Sequence, residues 1–291
     1  MVFPCDKPGF MGRVHVVTQA YGLEEVRTQA LYLAWSALAW RGDAPLDVHV
    51  YTDAPEAFGA LADWIDVRRL SAPEIRAWRG PLDFVHRLKA EMVRDVVHRY
   101  PEDKLLYLDA DVFFTAPAAA IFERIGPGRS VLHERELSVP ASNAAQIRKF
   151  RRHLAPLRFR GAPIDLTRDM WNAGAVGLDP SVFSVVDEWI EFIDTVYPHY
   201  KRGLVEQYGI CHLLQREGSV SPCTSEVFHY WFQKDEYVGA IRAALSQLGA
   251  LPLDDALATV RAHPISLPPP TQRKHRTTLW DRVRAVITGQ H

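Results

Sequence analysis

Hydrophobic runs of strand length alternate with amphipathic segments of helix length over the first 110 residues. The apolar runs 14–18, 48–53, 65–67 and 104–108 predict four strands. The longest segments between them, 24–40 and 84–98, repeat their apolar residues at helical spacing and predict helices. Strands joined by crossover helices pair in parallel. The pattern therefore predicts an α/β chain with a doubly wound, mostly parallel twisted sheet and helices on both faces.

Composition narrows the class of protein. A length of 291 residues with 47% hydrophobic content suits one extended α/β domain, which we predict over residues 1–267. A formal net charge of -1 disfavours a protein that covers nucleic acid. Three scattered cysteines predict no disulfide framework and favour a reducing compartment. The sequence shows neither a bilayer-length apolar stretch nor a signal-peptide pattern, so we expect a cytoplasmic protein that is soluble or peripheral.

The most specific chemical pattern is a pair of carboxylates, Asp109 and Asp111, directly after the strand 104–108. Parallel strands deliver ligand groups at their carboxyl ends, so both side chains should lie at the mouth of a crevice. A hard divalent cation relieves the repulsion between them, which predicts a metal-bound phosphate substrate. A solvated turn is the alternative, but it does not explain the apolar residues that follow. The strand-end rule also selects three candidate nucleotide contacts, which are Thr18, Ala20 and Asp53.

Residues 106–111, Leu-Tyr-Leu-Asp-Ala-Asp, resemble the Asp-x-Asp motif of nucleotide-sugar glycosyltransferases with the GT-A fold. The same aspartates resemble the opening motif of haloacid-dehalogenase phosphatases, but those enzymes place it on their first strand, near the N-terminus. Under the phosphatase hypothesis Asp109 is the nucleophile and Asp111 its acid, and Asp254 and Asp255 complete the site. A catalytically silent sugar-binding protein is a third hypothesis.

Four later segments, taken in order, are similar to motifs of the retaining glycosyltransferase family that includes glycogenin and bacterial lipopolysaccharide galactosyltransferases. They resemble its Arg-Leu-Lys segment, its Asn-Ala-Gly strand, its Asp-Gln pair with Glu in place of Asp, and its C-terminal His and Lys motif without the usual Gly and Lys-Pro-Trp ending. The segments are 84–89 with Arg87 and Lys89, 170–179 with Asn172, 205–214 with Glu206 and Gln207, and 226–235 with His229 and Lys234. The resemblance extends over residues 13–235.

The resemblance implies a GT-A glycosyltransferase of the hexosyltransferase type. It would move a sugar with retention from a nucleoside-diphosphate sugar, UDP-sugar being favoured, to a saccharide or lipid-linked acceptor. Mn²⁺ or Mg²⁺ would be held by Asp109, Asp111 and His229, with His263 as the competing third ligand. Two residues of the four segments have simpler alternative roles: Arg87 could form a surface salt bridge, and Glu206 could be an acid that stabilises the first turn of its helix. If the reaction inverts the anomeric carbon instead, Glu206 would be the general base. The implied donor contacts are Arg87, Lys89, Ala110 and Lys234, and the residues implied around the donor sugar are Asn172, Glu206 and Gln207.

A separate C-terminal segment, residues 268–291, is predicted as a proline-rich spacer with a basic amphipathic tail. The prolines at 268–270 cannot continue a helix and favour an extended chain. Beyond them, basic and apolar residues recur at helical spacing, which suits peripheral contact with an anionic membrane surface. Docking of this helix on the domain is the alternative. The residues are Arg273, Lys274, Arg276, Arg282 and Arg284 around Leu279, Trp280, Val283, Val286 and Ile287.

Overall fold

The computed structural model describes residues 12–268, which contain thirteen strands and nine α-helices. The strands are β1 (Val14–Ala20), β2 (Leu46–Thr52), β3 (Asp66–Arg69), β4 (Lys104–Leu108), β5 (Val112–Phe114), β6 (Arg129–Leu132), β7 (Arg135–Ser138), β8 (Arg158–Phe159), β9 (Ala162–Pro163), β10 (Asp169–Trp171), β11 (Ala175–Leu178), β12 (Ser219–Ser221) and β13 (Val227–His229). The helices are α1 (Glu24–Ala39), α2 (Ala72–Trp78), α3 (Arg87–Arg99), α4 (Ala119–Phe122), α5 (Ala145–Leu154), α6 (Ser184–Val196), α7 (Leu204–Glu217), α8 (Lys234–Leu248) and α9 (Leu253–Ala262).

Seven strands form one sheet in the order β12-β6-β11-β4-β1-β2-β3. Strands β4, β1, β2 and β3 pair in parallel, as the alternation of strands and helices predicts. Strands β6 and β12 also pair in parallel, but β11 runs antiparallel to both of its neighbours, β4 and β6. The sheet is therefore mostly parallel with one reversed strand, which the pattern of the first 110 residues did not predict.

Both faces of the sheet are covered, as predicted. Successive buried residues of the central strands alternate between two apolar cores, because side chains along a strand point to opposite faces. Val17 and Leu105 lie in the core that holds residues of α3, α6 and α7. Val16 and Leu106 lie in the core that holds residues of α1, α8 and α9. Burial on both faces explains why these strands are continuous apolar runs.

Two short antiparallel ribbons lie beside the main sheet and matter for the site. Strand β5 pairs with β13, and β7 pairs with β10. The apolar run 112–114, which follows Asp111, therefore leaves the main sheet and pairs with a segment more than a hundred residues later. Helix α3 begins at Arg87, three residues later than the predicted start at 84.

Most of the predicted C-terminal spacer and tail, residues 269–291, lies outside the described residues, so its membrane contact stays a prediction. None of the helices in residues 12–268 is long and apolar enough to cross a membrane. Cys211 and Cys223 are buried free thiols.

Candidate metal centre

Three predicted metal ligands converge where β4 ends. One ligand atom from each of Asp109, Asp111 and His229 lies within 4.8 Å of the other two. Asp111 and His229 are buried, and His229 Nε2 lies 3.4 Å from Asp111 Oδ2. His263, the competing ligand, is an exposed residue at the end of α9 and does not belong to this group.

Backbone pairing explains how such distant residues meet. The Asp109 amide donates to the Gly174 carbonyl at 2.8 Å, which extends the β4–β11 ladder by one residue. The chain then turns, and the Val112 amide donates to the Asp109 carbonyl at 3.1 Å. In the β5–β13 ribbon His229 lies opposite Val112, so its ring is placed next to the turn that carries both carboxylates.

Hydrogen bonds fix which nitrogen of His229 faces the carboxylates. The Asn172 amide nitrogen donates to Glu136 Oε1 at 2.9 Å, so Asn172 Oδ1 faces the other way. That oxygen accepts from the Gly174 amide at 2.8 Å and lies 3.1 Å from His229 Nδ1. Because the oxygen can only accept, Nδ1 carries a proton, and Nε2 is the nitrogen that faces Asp111. A histidine that binds a metal through Nε2 keeps its other proton on Nδ1, as here.

Gly174 is required by the close approach of these side chains. A Cβ atom added there would lie 2.4 Å from His229 Cε1 and 2.9 Å from Asn172 Oδ1. No side chain fits at those distances, so the glycine of the Asn-Ala-Gly segment makes room for the imidazole ring.

Two lysines neutralise the two aspartates. Lys234 Nζ lies 2.5 Å from Asp111 Oδ2. Burial alone would raise the pKa of Asp111, but Lys234 and His229 outweigh burial and lower that pKa below its usual value. Lys89 is buried, and its Nζ lies 3.1 Å from Asp109 Oδ1 and 3.3 Å from Glu206 Oε1. Burial would lower the pKa of Lys89, but these carboxylates outweigh it and raise that pKa.

The pair Glu206 and Gln207 lies in the first turn of α7, as predicted, but the two side chains have different surroundings. Glu206 is buried, and burial raises its pKa to about 7 although Lys89 opposes this shift. The Gln207 amide nitrogen donates to Glu136 Oε2 at 2.9 Å. One carboxylate, that of Glu136, thus orients the amides of both Asn172 and Gln207.

The group fits a divalent metal ion by its donor chemistry. Two carboxylates supply oxygen ligands, and the hydrogen bond at Nδ1 of His229 leaves Nε2 as the nitrogen that a metal would bind beside them. A mixed set of oxygen and imidazole ligands suits Mn²⁺ better than Ca²⁺. Ala110, between the aspartates, is buried in the same turn.

The other residues predicted to contact the donor lie on the expected elements, but most of their polar groups bond to other residues of the protein. Arg87 forms the alternative salt bridge: its guanidinium donates to Asp194 at 2.7 and 3.0 Å and to Glu91 at 2.6 Å. Asp53 accepts from the Gly22 amide at 3.0 Å and from Arg27 at 3.1 Å. The Ala20 carbonyl accepts from the Thr52 hydroxyl, whereas the buried Thr18 hydroxyl has no hydrogen-bond partner among residues 12–268. Asp254 and Asp255, the acids of the phosphatase hypothesis, begin α9 and are not part of the metal group.

Three residues of the site were not predicted. Tyr107 donates to Asp109 Oδ1 at 2.9 Å, and Glu136 bridges the two amides. The His133 ring meets the His229 ring edge-on with centroids 5.0 Å apart, and burial with the nearby His229 lowers the pKa of His133 to about 4. Tyr107 stands two residues before Asp109 in the strand, a signal available in sequence, but no local pattern marks Glu136 or His133.

Comparisons with known proteins bear on the fold. No protein-family model matches the chain, and no curated protein is similar to it in sequence. Among solved structures, the WbbM bifunctional glycosyltransferase in its apo form has 13% sequence identity and a TM-score of 0.53 over 74% of this chain. Mouse xyloside xylosyltransferase 1 in its apo form has 14% identity and a TM-score of 0.48 over 79% of this chain and 93% of its own length.

The similarity to WbbM concerns the fold alone, and this chain covers 39% of the WbbM chain. It confirms the predicted α/β architecture of the GT-A type. The chemistry of the site has to be argued from its own residues.

Proposed function

We propose that this protein is a metal-dependent glycosyltransferase that moves a sugar from a nucleoside-diphosphate sugar, UDP-sugar being favoured, to a saccharide or lipid-linked acceptor. The observation that carries the proposal is the convergence of Asp109, Asp111 and His229 within 4.8 Å at the carboxyl end of a strand in a GT-A-type fold. Ligands of open α/β sheets bind at such strand ends.

Asp109, Asp111 and His229 would hold Mn²⁺ or Mg²⁺. A bound divalent cation would neutralise the diphosphate as it leaves the sugar. Lys234, with its ammonium 2.5 Å from Asp111, adds a second positive charge at the same place. Lys89 is enclosed between Asp109 and Glu206, so its role in the proposal is to hold Asp109 in position rather than to bind the donor.

Gln207 is the residue we assign to the donor sugar. Its amide nitrogen is engaged by Glu136, and its amide oxygen would stabilise the positive charge that develops at the anomeric carbon. In a retaining front-face reaction the bond from that carbon to the diphosphate breaks, the acceptor oxygen bonds to the same face, and the acceptor proton passes to the diphosphate. Glu206 cannot serve readily as a general base, since it is buried and paired with Lys89.

The first experiment is a thermal-shift screen of UDP-, GDP- and CDP-sugars with and without manganese, combined with an assay of slow donor hydrolysis. A ligand at a hundred times its dissociation constant stabilises by about 2.7 kcal/mol, which gives a clear shift. We expect one class of nucleotide sugar to stabilise the protein only with the metal. If none does so, and none is hydrolysed, the proposal is wrong.

The role of Gln207 has its own test. We expect Gln207→Ala to lower donor turnover by about a hundredfold while donor affinity changes by about twofold or less, because an interaction made in the transition state appears in the rate. Gln247→Ala, an exposed glutamine of α8, is the matched control and should leave both quantities unchanged. An equal loss of affinity and turnover in Gln207→Ala would contradict this role.

A further inference from the structure

One segment next to the site has an unbalanced charge. Between Glu136 and Asp165 the sequence has no acidic residue but six arginines and lysines, although the whole chain has 34 basic and 35 acidic residues. Helix α5 holds four of the six. The local excess of positive charge is therefore a property of this helix and its surroundings, not of the chain.

Helix α5 separates its apolar and basic residues into two faces. Ile147, Phe150 and Leu154 are buried against the domain. Arg148, Lys149 and Arg152 are exposed, and their spacing of three and four residues places them on one side of the helix. We call these three residues the α5 basic face.

The α5 basic face has no acidic partner. Among residues 12–268, no carboxylate lies within 4.0 Å of Arg148, Lys149 or Arg152, although arginines elsewhere, such as Arg135 and Arg216, form bidentate ion pairs. Arg148 instead donates to the Asn143 carbonyl at 2.5 Å. Its guanidinium is thus tethered through one nitrogen to the backbone.

Helix stability explains the position of Arg152, which lies in the last turn of α5, but not the positions of Arg148 and Lys149. Each pair of like charges three or four residues apart destabilises a helix by about 0.2–0.5 kcal/mol. Arg148 and Lys149 lie in the first half of α5, where the helix dipole disfavours positive charge. Helices α1, α8 and α9 follow the usual preference and carry acids in their first turns. The α5 basic face therefore has an electrostatic cost that an anionic ligand would relieve.

The helix also lies beside the proposed donor site. It follows β7, the strand that carries Glu136. The buried ring of Phe150 meets the ring of Tyr208 edge-on with centroids 5.1 Å apart, and Tyr208 is the residue after Gln207 on α7. The α5 basic face is thus attached to the same elements that orient Gln207.

From this arrangement we infer that the α5 basic face binds a phosphate or carboxylate group on the saccharide acceptor, an inference that rests on the proposed function. Guanidinium groups bind such anions with two parallel hydrogen bonds, and Arg148 and Arg152 stand about 6 Å apart along the helix. A membrane is the less suitable partner, because the apolar residues of α5 face the core and none is left to enter a bilayer. The acceptor hydroxyl would reach the donor while its anionic group rests on α5.

The test measures binding of fluorescein-labelled dextran sulfate, with neutral dextran as the uncharged probe, to the full-length protein. Lys149→Glu/Arg152→Glu reverses two charges of the face, and Arg41→Glu/Arg76→Glu, at sites away from α5, makes the same change in net charge. We expect the α5 variant to lose about tenfold or more in affinity at low salt and the control about twofold or less. Lys149→Gln/Arg152→Gln, which removes charge without adding repulsion, should give a smaller loss in the same direction.

If both charge-reversal variants lose affinity for dextran sulfate equally, the probe is attracted by the net charge of the whole chain, and the assignment to α5 is wrong. Phosphatidylglycerol vesicles provide the second arm: if only vesicle binding depends on Lys149 and Arg152, the partner is a membrane and the saccharide inference is wrong. The binding assay needs no donor and no turnover. If the protein hydrolyses no nucleotide sugar but binds dextran sulfate through α5, the proposed function is therefore wrong, whereas the assignment of an anion-binding surface to α5 is confirmed.

Discussion

Two polar clusters with buried histidines lie toward opposite ends of the parallel strands, and their hydrogen bonding differs. Toward the amino end, His15 Nδ1 lies 2.9 Å from His49 Nε2, and the outer nitrogens lie 3.2 Å from Asp103 and 2.9 Å from Asp66. Every ring nitrogen of this pair has a partner within the protein. The cluster is a continuous chain of hydrogen bonds that links β1, β2 and β3 to Asp103, the residue before β4.

The cluster at the carboxyl end is organised differently. Asp109, Asp111 and His229 direct ligand atoms into one small volume. The nearby Thr18 hydroxyl and His133 Nδ1 are buried without a hydrogen-bond partner among residues 12–268. Buried polar atoms in folded proteins nearly always have partners, so such atoms need an explanation. The difference teaches that burial and charge alone do not mark a site: a site leaves bonding capacity for a ligand.

The largest expected effect is at Asp111. Replacing Asp111 by Asn removes a ligand and the counter-charge of Lys234, and we expect manganese-dependent donor hydrolysis to fall by about a thousandfold. The variant should still unfold in one cooperative thermal transition, at a lower melting temperature because Lys234 and His229 lose the Asp111 carboxylate. Asp103→Asn, at the amino end, is the control and should retain turnover. If Asp111→Asn binds UDP-sugar with the wild-type metal dependence, the carboxyl-end cluster is not the metal site.

Next in size is the loss of the buried ammonium of Lys89. We expect Lys89→Met to lower the free energy of unfolding by about 3–5 kcal/mol, because Asp109 and Glu206 lose a shared partner. Urea denaturation measures the change. Adding Glu206→Gln to this variant should restore part of the stability, because it removes one uncompensated carboxylate. No recovery in the double variant would mean that the two side chains are not coupled.

For the histidine cluster at the amino end of the strands we expect a different result from that at Asp111: substitution should lower stability but leave turnover almost unchanged. We expect His15→Leu to cost about 1–3 kcal/mol in urea denaturation, since His49 loses a buried hydrogen bond and Asp103 a partly buried one. Donor hydrolysis at saturating donor should change by about twofold or less. A large loss of turnover in a well-folded His15→Leu protein would show that the two clusters are linked in function.

The smallest expected effect is a difference in pH dependence. Burial raises the pKa of Glu206 from 4.5 to about 7, so the native protein binds this proton more tightly, and its contribution to stability rises as the pH falls from about 7 to about 4.5. Burial, with His15 in support, lowers the pKa of His49 below 6.5, so the unfolded chain takes up that proton first and stability falls below pH 6.5.

These contributions have opposite signs, each of at most about 1.4 kcal/mol per pH unit. Urea denaturation between pH 8 and pH 5 separates them. Glu206→Gln should make acidification more destabilising than in the wild type, and His49→Leu should make it less so. The same pH profile in both variants and the wild type would show that neither group changes its protonation on unfolding in this range.

Sequence patterns were sufficient for the parallel part of the sheet, and they selected Asp109, Asp111 and His229, which the fold brings together. Strands buried on both faces are continuous apolar runs, and Asp109 and Asp111 stand directly at the end of one. The reversed direction of β11 was not predictable from these runs, because a buried apolar segment looks the same in either direction. Internal contacts engage the side chains of Asn172 and Lys89, and the roles implied for them at the donor stay predictions.

The support of the site was harder to predict than its ligands. Glu136 is one acid in the segment Glu134-Arg-Glu136, and its role depends on β7 lying beside both Asn172 and Gln207. His133 similarly contacts His229 only through the tertiary fold. Such contacts between residues far apart in sequence leave no local periodicity, so a single sequence does not reveal them.

The β5–β13 ribbon determines when Asp109, Asp111 and His229 can come together during translation. All seven strands of the sheet are synthesised by residue 221, but His229 follows them. A nascent chain that ends before residue 227 holds both aspartates without the strand that pairs with β5. Domains form from the N-terminus as the ribosome adds about 5–20 residues per second. The complete group of Asp109, Asp111 and His229 is therefore synthesised only after the last strand of the main sheet, and a polypeptide that ends before residue 227 lacks its third member.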